Sequence, residues 1–193
     1  MAIPSRRFIV FSPTPQVPFA NRLAYTSRRL LSLAFNQPPI QPVRASSLQV
    51  VPVRGDGRCL YRAIAKGLAN SEGRRLTENL ERADADALRS LAWKAICVDR
   101  TKEFAAKHVI EGSISSYCRQ MRAPTFYAGE AEMLALVDVL KVPIKVYLNH
   151  GGELRNIVTY GEKYKKRKGR LSRDIAVRVL YANGNHYDAL VPR

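Results

Sequence analysis

Cys59 is the residue of this chain best placed to act as a nucleophile. It follows the turn-forming segment Gly55-Asp56-Gly57 and opens a run in which apolar residues recur at four-residue spacing. At the start of a helix, free N–H groups and the helix dipole lower the pKa of a thiol. The two glycines let successive N–H groups converge on one point, as an oxyanion hole requires. The alternative is a buried cysteine that begins a core helix, and position alone does not choose between the two.

A thiol of this kind needs a base, and the chain has only three histidines. His108 lies in a charged helical stretch and His150 in a turn, so both are expected at the solvated surface. His186 lies in a glycine-containing turn that runs into a strand. Side chains two apart on a strand share a face, so Asp188 can orient its imidazole. Such a pair is more often structural than catalytic, but combined with Cys59 it suggests a Cys-His-Asp site.

The elements that position these residues follow from the spacing of apolar side chains. Residues 49–53 predict a strand and 59–68 a helix that buries one face. Further helices are expected at 84–108, 114–121 and 130–140, and further strands at 144–148, 156–160, 175–181 and 187–191; residues 70–83 are expected to be a loop or weak helix. One strand, then helices, then a run of strands predict an α+β fold with helices around a small, mainly antiparallel sheet.

The first 47 residues differ from the rest of the chain. They contain seven of the eleven prolines, six arginines, six serines and no acidic side chain. This composition favours an organelle transit peptide over a disordered tail, and it does not separate chloroplast from mitochondrion. We therefore expect the folded domain at 48–193, in an organelle if the tail is a transit peptide and in the cytoplasm otherwise.

The formal net charge of +16 is the strongest anomaly of composition. Residues 1–50 contribute +6 and the basic segment 161–173 another +6, so the rest of the chain is nearly ordinary. We expect the basic segment to be a solvated connection between strands. A basic nucleic-acid-binding organelle protein is the rival interpretation, but the aromatic-basic interleaving and zinc-finger spacings of such proteins are missing from the sequence.

The three cysteines, Cys59, Cys97 and Cys118, form no CxxC pair and leave an odd count. This pattern argues against a disulfide framework and a structural zinc site, and it indicates a reducing compartment. Cys97 and Cys118 fall within apolar helical patterns and are most simply structural. No apolar run approaches the roughly 18 residues that a membrane-spanning helix needs.

Three blocks of the sequence resemble the ovarian-tumour (OTU) family of cysteine proteases, which includes deubiquitinases. Residues 55–63, GDGRCLYRA, resemble the family's nucleophile motif GDGxCLFRA, with Tyr61 in place of Phe. Residues 127–132, YAGEAE, resemble its W-G-G-E-x-E block, and a Val-Pro-Ile-x-Val strand follows at 142–146. Residues 186–190, HYDAL, resemble its carboxy-terminal histidine motif, most closely in plant-type members. The order of the blocks and their extent over 48–193 make the match specific.

The resemblance implies an OTU-like, papain-type fold and a ubiquitinyl hydrolase of the ubiquitin-conjugate pathway. Cys59 would attack the isopeptide carbonyl at the carboxy terminus of ubiquitin or polyubiquitin, and His186 would accept the thiol proton. Main-chain N–H groups of Asp56, Arg58 and Cys59 would hold the oxyanion. The family also counts Asp56 among its catalytic residues, so either Asp56 or Asp188 could support His186.

The same resemblance implies that no metal or cofactor is required, and we expect a monomer that binds no nucleic acid. Tyr127 and Ala128 depart from the family's Trp and Gly in a region that shapes the substrate channel. An OTU-fold protein that binds a partner without cleaving it is therefore the second alternative.

Overall fold

The computed structural model describes residues 47–164 and 176–193. The expected tail or transit peptide at 1–47 lies outside these ranges except for Ser47, as does most of the basic segment 161–173. In chain order the structure contains strand β1 (Leu48–Val51), helices α1 (Cys59–Ser71) and α2 (Glu78–Lys94), a π-helical turn (Ala95–Asp99), helices α3 (Thr101–Ala106), α4 (Ile114–Met121) and α5 (Glu130–Leu140), strands β2 (Ile144–His150) and β3 (Glu153–Tyr160), a 3-10 turn (Glu162–Tyr164), and strands β4 (Val177–Ala182) and β5 (His186–Pro192).

The five strands form one mixed sheet in the order β1-β5-β4-β2-β3. Three of its four pairings are antiparallel, and only β2 and β4 run parallel. Helices pack against this sheet, so the expected α+β fold with a mainly antiparallel sheet is confirmed. Strand β5 lies between β1 and β4, so the strand that begins with His186 is hydrogen-bonded along both edges.

Helix α1 is the central packing element. It packs against β5, β4 and α2, and its first turns are almost entirely removed from solvent. Cys59, Leu60, Tyr61, Ala63 and Ile64 are each 2% exposed or less. Since burying an aliphatic or aromatic side chain of this size contributes about 1.5–3 kcal/mol, the buried first turns of α1 fix the position of Cys59.

Helix α2 begins at Glu78 rather than at residue 84, which corrects the expected loop or weak helix over 70–83. Thr77 caps it by accepting a hydrogen bond from the Leu80 N–H. The buried residue of its first turns is the charged Glu81 and not an apolar side chain. Glu81 is paired with two cations: Oε1 lies 3.0 Å from Arg62 Nη1 and Oε2 lies 2.7 Å from Lys66 Nζ. A search for apolar periodicity does not detect a helix face that is buried in this way.

The single helix expected over 84–108 is interrupted. The π-helical turn follows α2 directly, and Arg100 then separates it from α3. Leu91, expected in the apolar stripe, is 40% exposed, whereas Ala85 and Ala92 are fully buried. The buried face therefore runs through Ala85, Leu88, Arg89 and Ala92, and it contains a charged residue.

Cys97 and Cys118 form a disulfide with Cα atoms 5.7 Å apart, so the argument from cysteine count against a disulfide is wrong. The chain reverses between the π-helical turn and α4 and brings together two cysteines separated by 21 residues. Spacing motifs such as CxxC do not report a pairing made by tertiary structure. The inference of a reducing compartment rested on the same argument and loses its basis.

Within residues 47–164 and 176–193, no helix is long and apolar enough to cross a membrane. The same part of the chain contains no cluster of three or more His, Cys, Asp or Glu side chains that could hold a metal ion.

Candidate active site

Cys59 is the first residue of α1 and the free cysteine among the described residues. Its thiol is buried, and the main-chain N–H of Tyr187 in β5 lies within hydrogen-bonding range of its sulfur. Tyr187 is the neighbour of His186 in sequence. The packing of α1 against β5 therefore brings the start of the helix, which carries Cys59, to the start of the strand, which carries His186.

Burial raises the pKa of the Cys59 thiol, and the nearby Asp56 carboxylate adds to that increase. Main-chain N–H groups of Tyr187 and Leu60 act in the opposite direction but do not outweigh the loss of hydration. The lowered pKa expected from a helix start is therefore not what this environment produces. A buried thiol remains protonated and needs a base beside it to react.

His186 is held by Asp188, which lies two residues further along β5. Its Nε2 lies 3.0 Å from Asp188 Oδ1, and the Val53 N–H donates to the same oxygen at 3.0 Å. A carboxylate only accepts hydrogen bonds, so in the neutral imidazole Nε2 is the nitrogen that carries the proton and Nδ1 the one that keeps its lone pair. Nδ1 faces the loop before Cys59, because a Cβ added to Gly55 would lie 4.0 Å from it.

Asp56 has a different set of partners from Asp188. Its Oδ1 accepts from the Arg58 N–H at 2.9 Å, and its Oδ2 lies 3.1 Å from Arg62 Nη2. Burial opposes ionisation of this carboxyl, but the hydrogen bonds and charges of Arg62 and Arg58 prevail and lower its pKa. Of the two aspartates left open by the sequence, Asp188 contacts the imidazole and Asp56 holds the loop that precedes Cys59.

The three main-chain N–H groups expected to bind an oxyanion already have partners in this conformation. Asp56 N–H donates to Arg54 O at 2.9 Å, Arg58 N–H to Asp56 Oδ1 at 2.9 Å, and Cys59 N–H to Asp56 O at 3.0 Å. An oxyanion would have to share or replace one of these bonds. The loop is thus folded on itself around Asp56.

Gly57 is required for a reason other than the one expected, and Gly55 has room for a Cβ. Neither Gly55 nor Gly57 has a positive φ, so no left-handed conformation requires them. A Cβ on Gly57 would instead lie 2.3 Å from Pro124 O and 2.8 Å from Thr125 Cα. Gly57 is required by the close approach of the segment 121–126, which packs against the loop 55–58 before Cys59.

Two arginines that build the site received no role from the sequence. Arg62, 2% exposed, bridges Asp56 and Glu81, and Arg89, 6% exposed, joins the Gly57 carbonyl to the segment 121–126. Each lies on the buried face of its helix. A charged residue flanked at helical spacing by small or apolar residues, as Arg89 is by Ala85 and Ala92, is the signal that could have identified them.

The middle sequence block builds structure next to the site. Glu132 is fully buried; its Oε2 accepts from the Gly129 N–H at 2.6 Å and its Oε1 from the Tyr117 hydroxyl. Glu130 hydrogen-bonds Tyr160, and Tyr127 is 46% exposed. His108 and His150 are exposed, as expected.

The profile of the family described as OTU-like cysteine protease matches residues 54–187 of the chain. That range contains Asp56, Cys59 and His186, and it ends one residue before Asp188.

Two curated relatives from Arabidopsis thaliana share the family. The chain is 35% identical over 154 residues to OVARIAN TUMOR DOMAIN-containing deubiquitinating enzyme 3, covering 72% of this chain and 65% of the relative. It is 35% identical over 145 residues to enzyme 4 of the same name, covering 74% of this chain and 43% of that relative. The chain thus spans less than two thirds of each.

Solved structures show the same fold. The OTU domain of OTUD1 aligns with a TM-score of 0.55 and 18% identity over 90% of this chain and 97% of that one. An ovarian tumour domain solved in complex with ubiquitin aligns with a TM-score of 0.56 and 20% identity over 78% of this chain and 79% of that one.

Proposed function

The chain belongs to the OTU family of cysteine proteases, as a plant-type member, and from this premise we propose that it is a deubiquitinase. Cys59 is its nucleophile, His186 its general base and Asp188 the residue that orients His186. Residues 48–193 form the catalytic domain. The observation that carries the proposal is the imidazole of His186, fixed by Asp188 at Nε2 while Nδ1 faces the Cys59 loop.

The chemistry follows from these positions. His186 Nδ1 accepts the proton of the Cys59 thiol as the sulfur bonds to the carbonyl carbon of the Gly-Lys isopeptide. The imidazolium then returns this proton to the leaving lysine amine as the C–N bond breaks, giving a thioester. Water deprotonated by His186 hydrolyses the thioester, releases the carboxylate of ubiquitin and restores the Cys59 thiol.

The raised pKa of the thiol makes the base indispensable. In His186→Ala, alkylation of Cys59 should require a higher pH than a free thiol, whose pKa is about 8.5, because burial disfavours the thiolate.

Tyr127 and Ala128, which replace the family's Trp and Gly, are proposed to influence which ubiquitin linkage is accepted. Tyr127 is 46% exposed and directly precedes the buried residues that lead into α5. Its side chain is thus accessible from solvent.

A ubiquitin derivative with an electrophile at its carboxy terminus tests the proposal. Intact mass should show one adduct on the wild type, located at Cys59 by peptide mapping, and none on Cys59→Ala or His186→Ala. The double variant Cys97→Ala/Cys118→Ala is the control and should react like the wild type. Binding of ubiquitin without an adduct would support the inactive OTU-fold protein instead, and retention on RNA that falls steeply with salt would support the nucleic-acid-binding alternative.

A further inference from the structure

Arg89 in α2 is a buried cation whose hydrogen bonds go to main-chain carbonyls. Nη2 donates to Gly57 O at 2.8 Å and to Pro124 O at 3.3 Å. Nη1 donates to Ala123 O at 2.8 Å, with Met121 O and Phe126 O each at 3.3 Å. The guanidinium also lies 4.9 Å from the centre of the Tyr61 ring.

Burying the Arg89 guanidinium among neutral carbonyls has a cost in desolvation free energy. Desolvating a cation costs several kcal/mol, and neutral carbonyl acceptors recover less of that cost than a carboxylate would. An apolar side chain of similar size would avoid this desolvation cost, but it would remove the donor that these carbonyls share. What a guanidinium supplies is a rigid set of donors that can hold several carbonyl groups in one geometry.

One of those carbonyls belongs to the peptide that carries an expected oxyanion donor. The peptide bond between Gly57 and Arg58 is planar and trans, so its C=O and N–H point in opposite directions. Arg89 holds the Gly57 carbonyl on the buried side. The Arg58 N–H must therefore point to the other side, where it now meets Asp56 Oδ1 at 2.9 Å.

The same guanidinium also fixes the segment that packs on this peptide. Gly57 is in such close contact with Pro124 and Thr125 that it has no room for a Cβ. The carbonyls of Ala123 and Pro124 are in turn bonded to Arg89. Both the peptide and the surface behind it thus depend on one side chain.

From these contacts we infer that Arg89 is a positioning residue for acyl transfer at Cys59: it orients the Gly57–Arg58 peptide so that its N–H can bind the oxyanion. This inference rests on the proposed function. It predicts a loss confined to reactions that form a tetrahedral oxyanion, since alkylation of Cys59 by iodoacetamide displaces iodide at carbon and forms no such charge.

The test compares Arg89→Lys and Arg89→Met with the wild type and with Leu154→Ala. Leu154 lies in a separate buried cluster with Leu48, Tyr147, Leu180 and Leu190, so its truncation controls for lost stability alone. Measurements are kcat and KM on a ubiquitin carboxy-terminal fluorogenic amide, the rate of Cys59 alkylation by iodoacetamide across pH, and the melting temperature. Lysine keeps the charge but not the fork of donors, so Arg89→Lys should fold even if Arg89→Met does not.

We expect Arg89→Lys to lower kcat by about 10²-fold with little change in KM, the loss typical of one oxyanion donor. Its alkylation rate and pH profile should stay within about twofold of wild type, because thiolate formation is untouched. A kcat that stays at the wild-type value would overturn the inference. So would a parallel fall in kcat and alkylation, or a fall in kcat no greater than that of an equally destabilised Leu154→Ala.

A second substrate separates this inference from the proposed function. Acylation of Cys59 by p-nitrophenyl acetate also passes through an oxyanion but needs no recognition of ubiquitin. If the wild type does not turn over the ubiquitin amide, the proposed function fails. A lower acylation rate in Arg89→Lys would then still support the inference, and an unchanged rate would refute it.

Discussion

The two aspartates near Cys59 illustrate how roles separate at the scale of single residues. Asp188 contacts His186, whereas Asp56 contacts Arg62 and the Arg58 N–H. The carboxylate that touches the imidazole can stabilise the imidazolium formed during attack. The other stabilises the loop that precedes Cys59, which contains the proposed oxyanion donors.

Asp188→Asn should lower kcat only partially. Its amide oxygen can still accept from the Val53 N–H and from His186 Nε2, but it provides no charge to stabilise the imidazolium. The loss should stay below the roughly 10⁴-fold effect of the corresponding change in a serine-protease triad. Steady-state kinetics and the pH dependence of Cys59 alkylation are the measurements. If Asp188→Asn changed neither while Asp56→Asn changed both, the roles of the two aspartates would be reversed.

Tyr61→Phe should increase stability, because the Tyr61 hydroxyl is buried without a hydrogen-bond partner among the described residues. An unsatisfied buried polar group costs about 1–3 kcal/mol, so the free energy of unfolding in urea should rise by a value in this range. Tyr117→Phe is the matched control: its hydroxyl bonds the buried Glu132, and its removal should lower stability. A destabilised Tyr61→Phe would mean that the hydroxyl has a partner in solution.

At the scale of elements, the site is the meeting point of a helix start, a strand start and one connecting segment. Helix α1 supplies Cys59, strand β5 supplies His186 and Asp188, and the segment 121–126 packs behind Gly57. Strand β1 pairs with β5 from Leu48↔Pro192 to Val51↔Ala189. Strand β5, which carries His186 and Asp188, is therefore fixed by β1 on one edge and β4 on the other.

Gly57→Ala and Gly55→Ala form a matched pair that tests the close approach. A methyl group on Gly57 would meet Pro124 O at 2.3 Å, whereas one on Gly55 meets nothing closer than His186 Nδ1 at 4.0 Å. We expect Gly57→Ala to lose activity and about 1–3 kcal/mol of stability, as overpacking does. Gly55→Ala should fold normally and retain activity. Equal effects in the two variants would show that the loop needs glycine for backbone flexibility and not for lack of space.

Removal of β1 tests whether β5 needs β1 as a hydrogen-bonding partner. A chain that starts at Ser47 keeps every β1–β5 pair and the Arg193 N–H bond to Ser47 O at 3.1 Å, so it should fold cooperatively and react with the ubiquitin probe. A chain that starts at Arg54 loses them, and its melting temperature and probe labelling should both fall. Full labelling of the shorter chain would show that β5 needs no partner on that edge.

At the scale of the whole molecule, long-range connections hold the helices beside the sheet. The disulfide ties the π-helical turn to α4, and the Trp93 indole N–H donates to Cys118 O at 3.0 Å across the same contact. Arg89 then links α2 to the segment that follows α4. The disulfide and the Trp93 hydrogen bond join elements that contain none of Cys59, His186 and Asp188, so these two links should affect stability more than chemistry.

The double variant Cys97→Ala/Cys118→Ala should lose about 3 kcal/mol of stability, as expected for a closed loop of some 20 residues, and retain most of its activity. Chemical denaturation with and without a reducing agent measures this change. Reduction of the wild type should lower its stability to that of the double variant. If reduction had no effect on the wild type, the two thiols would not be paired in solution.

The sequence by itself was sufficient for the family, the α+β class and the bounds of α4 and α5. It also singled out Cys59, His186 and Asp188, whose catalytic roles stay predictions. These features depend on local information, because periodicity and short motifs are written in neighbouring residues.

The tertiary structure alone decided the Cys97–Cys118 pairing, the separate partners of Asp56 and Asp188, and the reason for Gly57. It also found that Glu81, Arg62 and Arg89 are buried, and that burial raises the pKa of Cys59. Each of these depends on contacts between residues that are distant in the chain, and local sequence patterns do not predict such contacts. Desolvation in particular is a property of everything packed around a group, so a helix start that favours the thiolate in isolation does not determine its pKa in the folded protein.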